Sequence, residues 1–302
     1  MSIKTYGYAF ALLSATCFGT LAVSGKFAYQ DGIEVGSLMA WRFGVAALGF
    51  WLIIFLKRST FIFPRAIDAF KLFSLGAIIL ALEVTLFFMG LAAPGMSAGL
   101  AETIFFVYPT WVVLIAAAFL SHRISVAMAG CVGLAITGVA LTAGSLKTES
   151  ISGVVYLLMA SILYAIYVAL SGQWMKGVSP FVATTWMITG AGFSLIVYAL
   201  ATNPQGPSTI NGWLSVGSAI ALGTFGAYAL LYAALHRIPS PVAAVLTTAE
   251  PVVAVFLGVI LLSETMTALQ ILGSVLILGA VILLLWWDSK GVSTVEPAAL
   301  TA

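Results

Sequence analysis

The chain has 302 residues, of which 62% are hydrophobic and 7% charged, with a net charge of +2. An average soluble domain is about 25% charged, and a globule of this length cannot cover its surface with so few ionised groups. The chain therefore reads as an all-α membrane protein with the lipid bilayer as its partner, and a nucleic-acid partner is excluded because no basic patch exists to hold phosphates.

A spanning helix needs about 20 mostly apolar residues. Lys4 precedes an apolar run from Tyr6 to Val23 that is longer than a signal core and lacks a clean cleavage site, so it reads as the first membrane helix rather than a removable leader. Breaks at charges, prolines and glycine turns then divide the chain into ten transmembrane helices, at 5–28, 35–56, 70–92, 97–120, 124–143, 153–173, 180–200, 213–235, 241–262 and 266–287. Connections are short, and the most open one, 203–212, is a turn-rich connector. Cys17 and Cys131 both lie in apolar runs, which favours packing over a disulfide.

With the N-terminus inside, Lys4, Lys57, Arg58, Arg65, Lys71, Arg123, Lys176, Arg237 and Lys290 all fall on the inner side. Lys26 and Lys147 fall outside, and Arg42 lies within helix 2. This bias predicts cytoplasmic termini in a bacterial inner (plasma) membrane.

The chain repeats itself. FFVYPTWVVLIAAAFLSHRIS (105–125) is similar to LTTAEPVVAVFLGVILLSETMT (246–267). Each carries a proline in an apolar helix, then a polar corner at Ser121-His122-Arg123 or Ser263-Glu264-Thr265. Each continues into a glycine-containing helix, GCVGLAITGVAL or GSVLILGAVIL. Ser14-Ala15 and Ala160-Ser161 match more weakly. The predicted organisation is a five-helix unit at 1–146, a second at 147–290 and a short cytoplasmic tail at 291–302. Five is odd, so the second unit inserts upside down. Two inverted repeats with interrupted helices around a central cavity are a transporter pattern.

The run AEPVVAVFLGVILLSETMTALQILGSVLILGAVIL (249–283) resembles the C-terminal motif of the EamA family in the drug/metabolite transporter superfamily. The matching features are the helix-9 proline, the corner marked by Gly258 and Ser263-Glu264, and Gln270 to Gly273 at the entry to helix 10. Ala40-Trp41-Arg42-Phe43 resembles the family's Arg-Phe element in helix 2, and His122-Arg123 stands where Glu-Arg is usual. The resemblance implies a basket of helices 1–4 and 6–9, with helices 5 and 10 peripheral, and export of amino acids or related metabolites. Glu83, Tyr108-Pro109 and Tyr164 with Tyr167 are reminiscent of YddG-type aromatic amino-acid exporters.

Arg42, Glu83, Glu102 and Glu250 are charges at membrane depth, where each would cost roughly 2.5–3.5 kcal/mol if it faced lipid. They are expected to face a wet cavity or one another. Arg42 and Glu102 lie at similar depth and form a candidate ion pair. Glu83 and Glu250 lie near mid-helix, where a carboxyl that exchanges a proton for a substrate ammonium would couple transport to protons. Pro109 and Pro251 each remove a helix N–H and crowd the carbonyls of Phe105 and Thr247. They predict kinks at the cavity wall, with Thr247 and Thr248 hydroxyls beside the second. Phe87, Tyr108, Tyr164, Tyr167, Tyr228 and Tyr232 complete the candidate substrate site, offering apolar faces with hydroxyl handles.

The favoured function is a secondary transporter exporting small metabolites, with neutral or aromatic amino acids the favoured substrates, by alternating access. A drug or other-metabolite exporter of the same fold is the alternative. An intramembrane enzyme fits less well. His122 and His236 stand singly at helix ends, and no catalytic residue, metal cluster, cofactor motif or nucleotide-binding loop is predicted. Gly130, Gly133 and Gly273 suit helix contacts within one chain or between two, so the pattern fits a monomer and a homodimer alike.

Overall fold

The computed structural model describes residues 3–57, 62–119, 126–144, 150–175, 177–202, 204–235, 237–238 and 246–287. Helices account for nearly all of them. In chain order they are α1 (Ile3–Gln30), α2 (Val35–Leu56), α3 (Ala66–Ala92), α4a (Ala98–Phe105), α4b (Tyr108–Phe119) and α5 (Val126–Gly144). The second half follows with α6 (Ile151–Trp174), α7 (Pro180–Ala201), α8 (Ile210–Ile220 continuing through Ala221–Gly226 and Ala227–Leu235), α9 (Ala249–Leu262) and α10 (Ala268–Trp287). With α4a and α4b counted as one broken helix, these are the ten expected. Six are long and apolar enough to span a bilayer by length and composition alone. The expected start of helix 9, the corner at His122-Arg123 and the tail from 291 lie outside the described residues.

The burial pattern is that of a protein dissolved in lipid. Leu48 and Phe55 are 72% and 74% exposed, whereas Arg42, Glu83 and Glu102 are 6%, 4% and 2% exposed. Apolar side chains face outward because lipid solvates them, and the charges are withdrawn inward because lipid does not.

The packing repeats between the halves. α1 lies against α8 and α9, as α6 lies against α3 and α4b. α2 meets its counterpart α7, α5 meets α10, and α4a meets α9. Small residues permit the closest crossings. A side chain at Gly76 or Gly190 would collide with α7 or α3 backbone respectively, and one at Gly138 would sit 2.7 Å from the Gly273 carbonyl oxygen. The serines noted in the weak repeat are buried at helix contacts. Ser14 donates to the Ala227 carbonyl at 2.8 Å, and Ser161 accepts from Trp111 Nε1 at 2.8 Å.

Two devices interrupt the helices, and each occurs once per half at corresponding places. α3 and α8 each contain a π turn, Leu75–Leu80 and Ala221–Gly226. Helices 4 and 9 are broken rather than bent. α4a ends at Phe105, Phe106 and Val107 form a turn, and α4b restarts at Tyr108. Thr248 likewise precedes the start of α9 at Ala249. The expected kinks are thereby corrected. Pro109 and Pro251 occupy the first turns of new helices, where a backbone N–H has no intrahelical partner to lose.

Candidate functional site

The helix interruptions converge on one central cavity of about 110 Å³, below the roughly 300–1,000 Å³ of a small-molecule pocket. α1 supplies Phe18 and Leu21, α2 supplies Arg42 and Phe43, and α3 supplies Glu83 and Phe87. α4a supplies Glu102 and Phe105, α4b Tyr108, α6 Tyr164, α8 Tyr228 and α9 Glu250. Neither α5 nor α10 contributes a lining residue among those described.

The local backbone explains several of these placements. Glu83 follows the π turn of α3 by three residues, and Tyr228 follows that of α8 by two. Tyr108 and Glu250 each immediately precede a proline in the first turn after a break. Wide turns and helix starts expose backbone polarity, which is tolerable at membrane depth where protein or water meets it. The Thr224 hydroxyl, inside the α8 π turn, lies 3.2 Å from the Ala219 carbonyl, five residues back, and accepts from Arg42 Nε at 3.2 Å.

That last contact corrects the expected ion pair. Arg42 is not in salt-bridge contact with Glu102; the salt bridge among the described residues is Arg65–Asp68. The guanidinium instead donates to Thr224 and lies 4.9 Å from the Phe43 ring centre and 5.8 Å from that of Phe88. Such cation–π placement lets an arginine stay charged in an apolar wall. Arg42 remains within electrostatic reach of Glu83, Glu102 and Glu250, and the last two also act on each other.

The aromatic lining is continuous. Tyr108 and Tyr164 meet edge to face at 4.7 Å, Phe105 lies 5.3 Å from Tyr164, and Phe87 lies 5.1 Å from Phe105. Tyr167 stacks on Tyr164 at 5.9 Å and is absent from the lining, so it backs the wall rather than forming it. Thr247 and Thr248 lie at the start of α9 and do not line the cavity either; Thr248 occupies the N-cap position without a side-chain cap bond. The backbone of Tyr232 lies in α8, and its side chain falls outside the described residues. Phe18, Phe88, Phe105 and Phe106 also line the cavity and are not among the expected site residues, nor is Phe43 of the Arg-Phe element. A Phe-Phe pair separated by one residue from a Tyr-Pro is the available signal for Phe105 and Phe106.

A two-repeat helical membrane protein with charges and aromatic rings gathered at its helix interruptions has the build of a membrane transporter. The comparisons make the class definite. The model of the EamA-like transporter family matches residues 5–144 and again 151–286, and the chain belongs to that family. It is similar to an uncharacterized transporter, YcbK, of Bacillus subtilis (strain 168), 25% identical over 282 residues covering 88% of each chain. It is also similar to an uncharacterized transporter of Archaeoglobus fulgidus, 28% identical over 273 residues covering 88% of this chain and 94% of that one. A solved crystal structure shares the fold at a TM-score of 0.66 and 14% identity, over 96% of this chain and 99% of the other. The protein is a multi-pass membrane transporter and not an enzyme.

Proposed function

We propose that the central cavity is the substrate site of a secondary transporter that exports small metabolites, amino acids foremost, by alternating access. The observation that carries this reading is the composition of the cavity wall: one guanidinium, three carboxyls and a ring of Phe and Tyr, drawn from helices of both repeats. Arg42 suits a carboxylate, Glu102 and Glu250 suit an ammonium, and Tyr108, Tyr164 and Tyr228 suit an apolar or aromatic side chain. The loose likeness to YddG-type exporters points the same way. Because the cavity is smaller than the roughly 300–1,000 Å³ of a small-molecule pocket, an amino-acid-sized substrate requires the walls to part. The paired breaks in helices 4 and 9 supply joints for that movement.

In this reading the repeats, 1–146 and 147–290, are inverted and both termini are cytoplasmic, in a bacterial inner membrane. Glu83, Glu102 and Glu250 offer sites at which a proton trades with a substrate ammonium. The test is counterflow by purified protein in proteoliposomes against an amino-acid panel, with and without a pH gradient. Exchange of at least one amino acid, accelerated by an opposing proton gradient, is the expected result. Exchange without a gradient effect would leave substrate recognition and remove proton coupling. No exchange across the panel would overturn the amino-acid assignment.

A further inference from the structure

We infer that Glu264 is the clasp of an outer gate, tying the corner after α9 to the start of α4a and so holding the cavity closed on that face. The carboxylate reaches across the repeat boundary, and both of its oxygens accept from the Ala98 backbone N–H, at 2.8 and 2.9 Å. Ala98 is the first residue of α4a, where a free N–H and the positive end of the helix both favour a carboxylate. Lys26 of α1 donates to the Met96 carbonyl of the same connection, and its charge and that of Glu264 act on each other. Ser150, at the start of α6, donates to the Pro94 carbonyl at 2.5 Å. Two helices and one corner thus converge on residues 94–98.

The corner is built to present this carboxylate. Ser263 adopts a left-handed backbone conformation, φ 54°, and the Glu264 N–H donates to the Gly258 carbonyl at 3.1 Å. A side chain at Gly258 would occupy the place of the Glu264 carboxylate. One turn below Ala98, Glu102 lines the cavity, and α4a ends at the break three residues later. A Cβ at Gly99 would lie 2.6 Å from Val255 Cα, so α4a rests directly on α9. α4b packs chiefly on α6, which α4a also touches. The break at Phe106-Val107 is therefore a joint between a segment clasped to α9 and a segment packed on α6. Releasing Glu264 frees the upper segment to swing about that joint and open the cavity.

The inference rests on the proposed orientation, in which this corner faces outward. The test uses a single reporter cysteine in the cavity wall, Val84→Cys, in a chain carrying Cys17→Ser and Cys131→Ser, and a membrane-impermeant maleimide applied to either face of the membrane. Glu264→Ala and Gly258→Ala are each expected to raise the rate of labelling from the outer face by about tenfold or more, as loss of the charge-assisted bond that both oxygens share from Ala98 N–H shifts the closed–open balance. Glu264→Gln keeps one acceptor for Ala98 and is expected to give a smaller rise, about threefold. Folding of each variant is checked by its elution profile and melting temperature in detergent. Unchanged labelling in folded Glu264→Ala and Glu264→Gln overturns the clasp. So does an equal rise in Asp31→Asn, which loosens a different outer connection. A rise seen only with reagent on the opposite face supports the clasp and overturns the orientation.

Discussion

The breaks in helices 4 and 9 share a backbone design and differ in chemistry. Both place a proline in the first turn of a restarted helix, and both put the preceding residue in the cavity wall. That residue is Tyr108 in the first half and Glu250 in the second. The repeat thus preserves the joint and varies the group mounted on it. The two halves thus mount a phenol and a carboxyl at corresponding places in one cavity wall.

The π turns provide the sharpest contrast between halves. A Cβ added at Gly76, in the α3 turn, would strike the backbone carbonyl of Met187, which cannot rotate away; one at Gly223, in the α8 turn, would meet the end of the Leu21 side chain, which can. Gly76→Ala should therefore destabilise the protein by about 3 kcal/mol or more, and Gly223→Ala by about 1 kcal/mol. Thermal unfolding in detergent checks the pair, and equal losses would mean that the two turns are equally constrained.

The mounted groups come next. Glu250→Gln keeps shape and hydrogen bonding but removes the carboxyl, and should lower the initial flux of a confirmed substrate by about tenfold or more, equivalent to about 1.4 kcal/mol. Glu83→Gln should alter the rate or its dependence on pH between about 5.5 and 8.5, because it leaves Arg42 with one fewer carboxyl in reach. Tyr108→Phe should stay within about threefold of wild type, since the ring contacts with Phe105 and Tyr164 survive. A larger loss at Tyr108 than at Glu250 would reverse the proposed division of labour.

The joints themselves should be less sensitive in stability than in rate. Pro109→Ala and Pro251→Ala restore an N–H in a first helical turn and let the helix propagate across the break. Membrane insertion and melting temperature should change little, while flux falls by about threefold to tenfold. Wild-type flux in both variants would reduce the breaks to packing features.

The smallest effect is expected at the connection between α1 and α8. The Asp31 side chain accepts from Thr209 and from the Ser208 N–H at 3.2 Å, linking the end of α1 to the start of α8. The hydrogen bond from Thr209 above all, with those from Ser208, holds its carboxyl below the usual carboxylate range. A depressed value means that the stabilisation is complete above pH about 4 and fades as the pH falls through the folded-state value. Wild type should melt slightly above Asp31→Asn at pH 7, and the two should converge on acidification.

Much of this architecture was legible because lipid imposes a simple grammar of apolar length and charge. The ten helices, the repeat and the gathering of Arg42, Glu83, Glu102 and Glu250 all follow from it. The prolines marked the right places, but a break and a kink share one sequence signal, and only the turn at Phe106-Val107 distinguishes them. The Arg42–Glu102 pairing failed for a different reason. Depth along a helix is readable, whereas the azimuth that hands Arg42 to Thr224 depends on a π turn with no signature of its own. Tyr164 and Tyr167 show the same limit, since neighbours on one helical face can be wall and backing. Glu264 was visible only as part of a corner motif, because its partner lies 166 residues away.

A π turn spends one extra residue on a single revolution, so helical segments above and below it are out of phase by about 100°. Ile67 and Phe70, before the α3 turn, are exposed on the outside of the bundle, whereas Glu83 and Phe87, after it, line the cavity. The extra residue acts as a clutch between two independently aimed stripes. Deleting Ala77 would let α3 run as one regular helix, rotating the lower stripe against the upper one. Either Glu83 would then turn out of the cavity or the lipid-facing residues would turn in, so the reading frame of a membrane helix decides which side chains line the cavity.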